Sequence, residues 1–152
     1  MPAAPGPRGE LVVMVTVLED LFLSPRLHHV GIITPSEKRA NDQLRRLGLQ
    51  EDYRGYVEKW DVLCIFTKPN EGSPLEFVIP FSGPLKDFNQ GVGGLHHIAL
   101  TVPDIRATMR LLAQAGVRTL EDEPVKGAGP FLCNFLPPLF TRGFTLELVE
   151  EL

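Results

Sequence analysis

Four residues carry the chemistry open to this chain: His29, Glu76, His97 and Glu147. Each lies in an apolar, strand-like run, where an ionised carboxylate is costly unless it is paired or metal-bound. Two neutral imidazoles and two carboxylates suit a divalent ion such as Zn, Co, Ni or Mn. Their positions also belong together. The stretch Leu95-His96-His97-Ile98-Ala99-Leu100-Thr101-Val102-Pro103 has an earlier copy, Leu27-His28-His29-Val30-Gly31-Ile32-Ile33-Thr34-Pro35. At the same offset Leu44 falls on Leu112 and Gly48 on Gly116. Leu75-Glu76-Phe77-Val78-Ile79 then matches Leu146-Glu147-Leu148-Val149-Glu150 after a short shift. One His or one Glu in a strand is ordinary. Both at duplicated positions point to a shared metal site.

The elements that must position these residues follow the same repeat. In the first copy, residues 28–34 read as a strand closed by Pro35. Residues 36–47 read as an amphipathic helix with Ser36 as N-cap and Gly48 as terminator. Strands are expected at 53–57, 61–67 and 75–79. The second copy repeats the order: strand 96–102, helix 104–115 with Asp104 near its start, a weak strand at 117–120, then 131–136 and 144–149. Each copy is βαβββ and buries only one face of its sheet alone. The expectation is therefore one α+β domain over 27–152, built from module 27–80, linker 81–94 and module 95–152, with the paired sheets forming a cleft. Residues 1–26 read as a tail and an accessory element, the tail being Pro- and Gly-rich over 1–9 and the element spanning Leu11 to Leu23. Strict alternation puts His29 and His97 on the site face. His28 and His96 then face away, as structural residues or supports for the ligating rings, and a one-residue slip would exchange the roles. The small residues Gly31 and Ala99 leave room beside each His.

Composition narrows the classes. Hydrophobic residues make up 43% and charged residues 22%, ordinary for a soluble globular chain. A net charge of -4 without basic clusters argues against nucleic acid as a partner. No apolar run is long enough to span a bilayer. The Leu11–Leu18 run lacks a basic leader and meets Glu19-Asp20, so it makes a poor signal peptide, and a cytoplasmic protein is expected. Cys64 and Cys133 have neither disulfide-framework nor zinc-finger spacing and read as buried, reduced thiols. Lys86, Lys126 and Arg142 could meet phosphates, although a solvated face accounts for each of them.

The chain resembles the vicinal oxygen chelate superfamily, and within it the methylmalonyl-CoA epimerases. The stretches that carry the resemblance are Gly94-Leu95-His96-His97-Ile98-Ala99, Asp122-Glu123-Pro124-Val125-Lys126-Gly127-Ala128-Gly129, Asn134-Phe135-Leu136-Pro137-Pro138 and Leu146-Glu147-Leu148, in that order. The resemblance implies a divalent-metal site of His29, Glu76, His97 and Glu147. It also implies proton abstraction from an acyl thioester such as an acyl-CoA, with an enolate stabilised by the metal, and a homodimer. Glu147 is then a catalytic acid or base as well as a ligand. Cys64 stands where some of these epimerases carry a Glu facing the metal, which makes it a candidate second proton-transfer group. Pro137-Pro138 replaces a His-Pro pair and makes the rim more apolar. The same resemblance leaves open another reaction of the superfamily, such as glyoxalase-type isomerisation or a biosynthetic step on a different substrate. A ligand-binding protein of the same fold without catalysis is the other reading.

Overall fold

The strands of this protein do two jobs at once, because alternate residues face a helix and a cavity. In the computed structural model, which describes residues 26–152, the first half runs β1 (Arg26–Ile33), α1 (Glu37–Leu47), β2 (Glu51–Val57), β3 (Val62–Thr67) and β4 (Leu75–Pro80). The second half runs β5 (Gly94–Thr101), α2 (Ile105–Gln114), β6 (Val125–Lys126), β7 (Phe131–Leu136), the short helix α3 (Pro138–Thr141) and β8 (Thr145–Glu151). The expected tail over 1–9 and the accessory element over Leu11–Leu23 lie outside the described residues. Ser36 caps α1 by accepting from Arg39 N–H at 3.2 Å, and Asp104 caps α2 by accepting from Ala107 N–H at 2.8 Å.

All strands join one curved mixed sheet in the order β2-β3-β4-β1-β5-β8-β7-β6. Its centre is the antiparallel pair β1 and β5, flanked by parallel partners, β4 on β1 and β8 on β5. Outside the sheet, Ala40 and Leu44 of α1 pack on Ile65, Phe77 and Ile79. Ile105 of α2 and Leu112 do the same with Leu136, Leu146 and Leu148. The residues between these, Glu76 and Val78 on β4 and Glu147 and Val149 on β8, therefore face the concave side. This explains why each Glu is flanked by apolar neighbours in sequence. Phe77→Ala empties a fully buried site under α1. It is expected to cost about 3–5 kcal/mol in chemical denaturation, the usual range for deleting a core Phe.

The ends of the sheet are drawn together across the cavity. The Trp60 indole N–H donates to Glu121 at 3.1 Å, and Lys59 lies 3.0 Å from the same carboxylate. A side chain on Gly55 of β2 would overlap the Ala128 carbonyl, so β2 approaches the loop after β6 at backbone distance. One expectation fails. Residues 117–120 form no strand, and the outermost strand of the second half is Val125–Lys126 instead. Val125 and Lys126 occupy the edge of β7 opposite Cys133 and Leu132. Leu120 reaches β7 through a single bond from its N–H to the Phe135 carbonyl, 2.8 Å, and its side chain stays largely exposed at the cavity mouth.

Candidate metal centre

The central strands bring the two imidazoles together and their parallel neighbours bring the carboxylates. Gly31 of β1 pairs with Glu76 of β4, and Ala99 of β5 pairs with Glu147 of β8. One ligand atom from each of His29, Glu76, His97 and Glu147 lies within 4.8 Å of all the others. His29 Nε2 is 2.8 Å from Glu147 Oε2 and 3.2 Å from Glu76 Oε2. His97 Nε2 is 3.0 and 3.2 Å from the same two oxygens, and the two Nε2 atoms are 3.3 Å apart. All four residues are buried. The small residues make this possible across the strands rather than along them: Gly31 pairs with His97 and Ala99 with His29. A Cβ on Gly31 would overlap the His97 ring.

The donor set fits a divalent ion. Glu147 Oε2 is buried with no aligned hydrogen-bond donor, although two imidazole nitrogens lie within 3.0 Å of it. Nearness without N–H alignment is what atoms sharing a common ligand show, rather than hydrogen-bonded pairs. A buried N2O2 set is a usual environment for a first-row divalent metal.

When no ion is bound, the groups satisfy one another by charge. Burial pulls the His29 pKa down, but Glu147 and Glu76 outweigh it and raise it to about 10. The same balance raises His97 to about 9. Burial pushes Glu147 up, while His29 and His97 hold it down, to about 2, and Glu76 is held well below the usual carboxylate range in the same way. The imidazole contribution to stability is full below the ordinary pKa of 6.5 and is lost as pH rises through 9 to 10. The Glu147 contribution is full above 4.5 and is lost as pH falls towards 2. Metal binding needs neutral rings, so an ion entering at pH 7 is expected to displace about two protons. Affinity should then rise with pH up to about 10, while the metal-free fold is most stable on the acid side of neutrality. Calorimetry in buffers of different ionisation enthalpy checks this, and binding without proton release would contradict it.

A cavity of about 750 Å³ opens above the cluster, with Glu76, His97 and Glu147 in its lining. Its walls are largely apolar, among them Val57, Trp60, Leu85, Leu120, Phe135 and Pro138. Lys59 and Arg118 also line it, whereas Lys86, Lys126 and Arg142 do not. Cys64 lies buried on β3 in the cavity wall, its thiol pushed up by burial and by Glu76. Cys133 occupies the matching place in the other half: Cys64 pairs with Val78 as Cys133 pairs with Val149. Its thiol is likewise pushed up, by burial and Glu147. Sequence reasoning left Cys133 outside the site, since connections of different length shift it out of register with its twin.

Strict alternation also misplaced His28 and His96. Leu27 pairs with Leu100 and His29 with Ala99, so His28 is an extra residue in β1. Gly31 pairs with His97 and Ile32 with Leu95, so His96 is an extra residue in β5. Each bulge turns its ring back towards the neighbouring ligand His. His28 Nδ1 lies 2.7 Å from His29 Nδ1, and His96 Nδ1 lies 2.8 Å from His97 Nδ1.

Comparison with known proteins agrees with this architecture. An ethylmalonyl-CoA/methylmalonyl-CoA epimerase of Cereibacter sphaeroides is 34% identical over 130 residues, covering 82% of this chain and 97% of that protein. The mitochondrial methylmalonyl-CoA epimerase of Dictyostelium discoideum is 29% identical over 131 residues, covering 83% and 78%. A methylmalonyl-CoA epimerase of Streptomyces coelicolor, solved in complex with 2-nitronate-propionyl-CoA, superposes with a TM-score of 0.72 at 27% identity, covering 83% of this chain and 96% of that one. The family model for the glyoxalase/bleomycin resistance protein/dioxygenase superfamily matches residues 28–135, which takes in His29, Glu76 and His97. The match spans the first half of the repeat and runs into the second as far as β7, and the chain belongs to this superfamily.

Proposed function

We propose that the chain is a metal-dependent epimerase acting on the carbon between a thioester and a carboxylate, on a substrate of the methylmalonyl-CoA type. The observation that carries this reading is the convergence of two imidazoles and two carboxylates at the base of an apolar cavity. The relatives named for methylmalonyl-CoA and ethylmalonyl-CoA epimerisation support it. His29, Glu76, His97 and Glu147 hold the ion, which supplies Lewis-acid stabilisation of negative charge developing on substrate oxygens.

The remaining work belongs to the side chains. Inversion needs proton transfer on two faces of the reacting carbon. Glu147 approaches from β8 and Cys64 from β3, strands on opposite sides of the central pair. Glu147, ionised as a ligating carboxylate must be, removes the proton. Cys64, held as a neutral thiol by burial and Glu76, returns one to the other face. Solvent exchange then restores the starting protonation of both groups. The apolar walls keep bulk water away from the reacting carbon and accept an alkyl substituent there. The test is hydrogen exchange at the α-carbon of methylmalonyl-CoA in D₂O by the metal-loaded protein. Deuterium incorporation with inversion is expected. No exchange into methylmalonyl-CoA or ethylmalonyl-CoA would overturn the reading.

A further inference from the structure

The two bulged histidines make a pair that the proton-transfer scheme does not use. Each lies at the one place where its strand carries an extra residue, and each puts Nδ1 against the Nδ1 of a ligand ring. Two facing Nδ1 atoms at 2.7–2.8 Å share one proton. His29 and His97 turn Nε2 to the cluster, so with an ion on Nε2 the ring proton sits on Nδ1. The outer ring must then accept at Nδ1 and carry its own proton on Nε2. A partner on the far nitrogen fixes both the tautomer and the orientation of a ligating imidazole.

From here the twins differ. His28 turns Nε2 towards Glu151, 3.8 Å from Oε1, on the outer part of β8. His96 has no carboxylate partner among the described residues, packs edge-on against Phe88 with centroids 5.0 Å apart, and forms part of the cavity wall. We propose that His28 and His96 are positioning residues that hold the ligand rings by accepting from their Nδ1–H. We further propose that His96 also donates its Nε2–H to an oxygen of the bound acyl thioester. The second copy of the repeat has thereby tied a metal ligand to the substrate. This assignment rests on the metal-binding reading above.

Substitutions that mimic one nitrogen at a time test it. His96→Leu removes both nitrogens and is expected to weaken Co²⁺ binding about 10–100-fold, measured by chelator competition, as is His28→Leu. His96→Asn restores an acceptor at the Nδ1 position, so Co²⁺ affinity should return to within about threefold of wild type. The Asn variant lacks the outer donor, and its affinity for methylmalonyl-CoA when metal-saturated should stay about tenfold weaker. Nitrogen-15 spectra of the Zn-loaded protein should show a protonated Nδ1 on both ligand rings. Co²⁺ affinity unmoved by both Leu variants, or left low in folded His96→Asn, overturns the positioning role. Equal methylmalonyl-CoA affinity in wild type and His96→Asn overturns the substrate contact. Wild-type protein that takes up no Co²⁺ or Zn²⁺ fails earlier, at the metal reading, and takes this assignment down with it.

Discussion

Glu147→Ala is expected to lower α-proton exchange by roughly 10³-fold or more and to leave the protein short of bound metal. Glu147 has two roles in this account. Its Oε2 lies 2.8 and 3.0 Å from His29 Nε2 and His97 Nε2, and its carboxylate is the group that receives the proton. Removing a general base alone costs about 10²–10⁴-fold, and losing a fourth donor weakens the ion as well. Glu147→Gln separates the two. The amide oxygen can still face the ion, so metal content should fall less than in the Ala variant. The base is gone in both, so exchange should fall in both. Exchange within tenfold of wild type in either variant would remove Glu147 from the proton-transfer step. Metal content unchanged in Glu147→Ala would remove it from the ligand set.

Gly31→Ala is expected to damage the same site without touching a ligand. Gly31 faces His97 across the β1–β5 pair, and the added methyl would occupy space the imidazole now fills. The collision is with the body of the ring, and the ring is packed edge-on against Phe135 and His29. It must leave the cluster or push β1 and β5 apart. A displaced ligand should cost roughly 100-fold in metal affinity, and overpacking should destabilise the fold by about 1–3 kcal/mol. Chelator competition and denaturant titration read the two effects separately. Metal affinity within threefold of wild type would mean that His97 can be held by another route.

Much of the candidate site was legible in the sequence because duplication places each proposed ligand twice in the same phase. His29 and His97 recur in matching strands, and Glu76 and Glu147 each follow one apolar residue and precede another. The structure explains that pattern: Phe77 and Leu148 face the helices while the carboxylates face the cavity. Helix starts at Ser36 and Asp104 were legible for an equally local reason, the side-chain cap. What alternation could not reveal was the pair of bulges. An extra residue in a strand exists only relative to its partner, and the partner's register is a long-range fact. The same limit hid β6. Val125 and Lys126 become a strand because β7 offers them a free edge, while the β-branched content of 117–120 found none. Gly31 was read as space for its own neighbour, and its use by a ring on another strand followed only from the antiparallel pairing.

The central claim is that His29, Glu76, His97 and Glu147 hold one divalent ion. Its most direct test is elemental analysis of protein purified without chelator or affinity tag, before and after incubation with Zn, Co, Ni or Mn salts, beside His97→Ala. The account predicts about one ion per chain in the wild type, with the His97→Ala protein folded but metal-poor. A wild-type protein that retains none and takes up none of the four metals would contradict it, and the buried cluster would then be an ion-paired network rather than a metal centre.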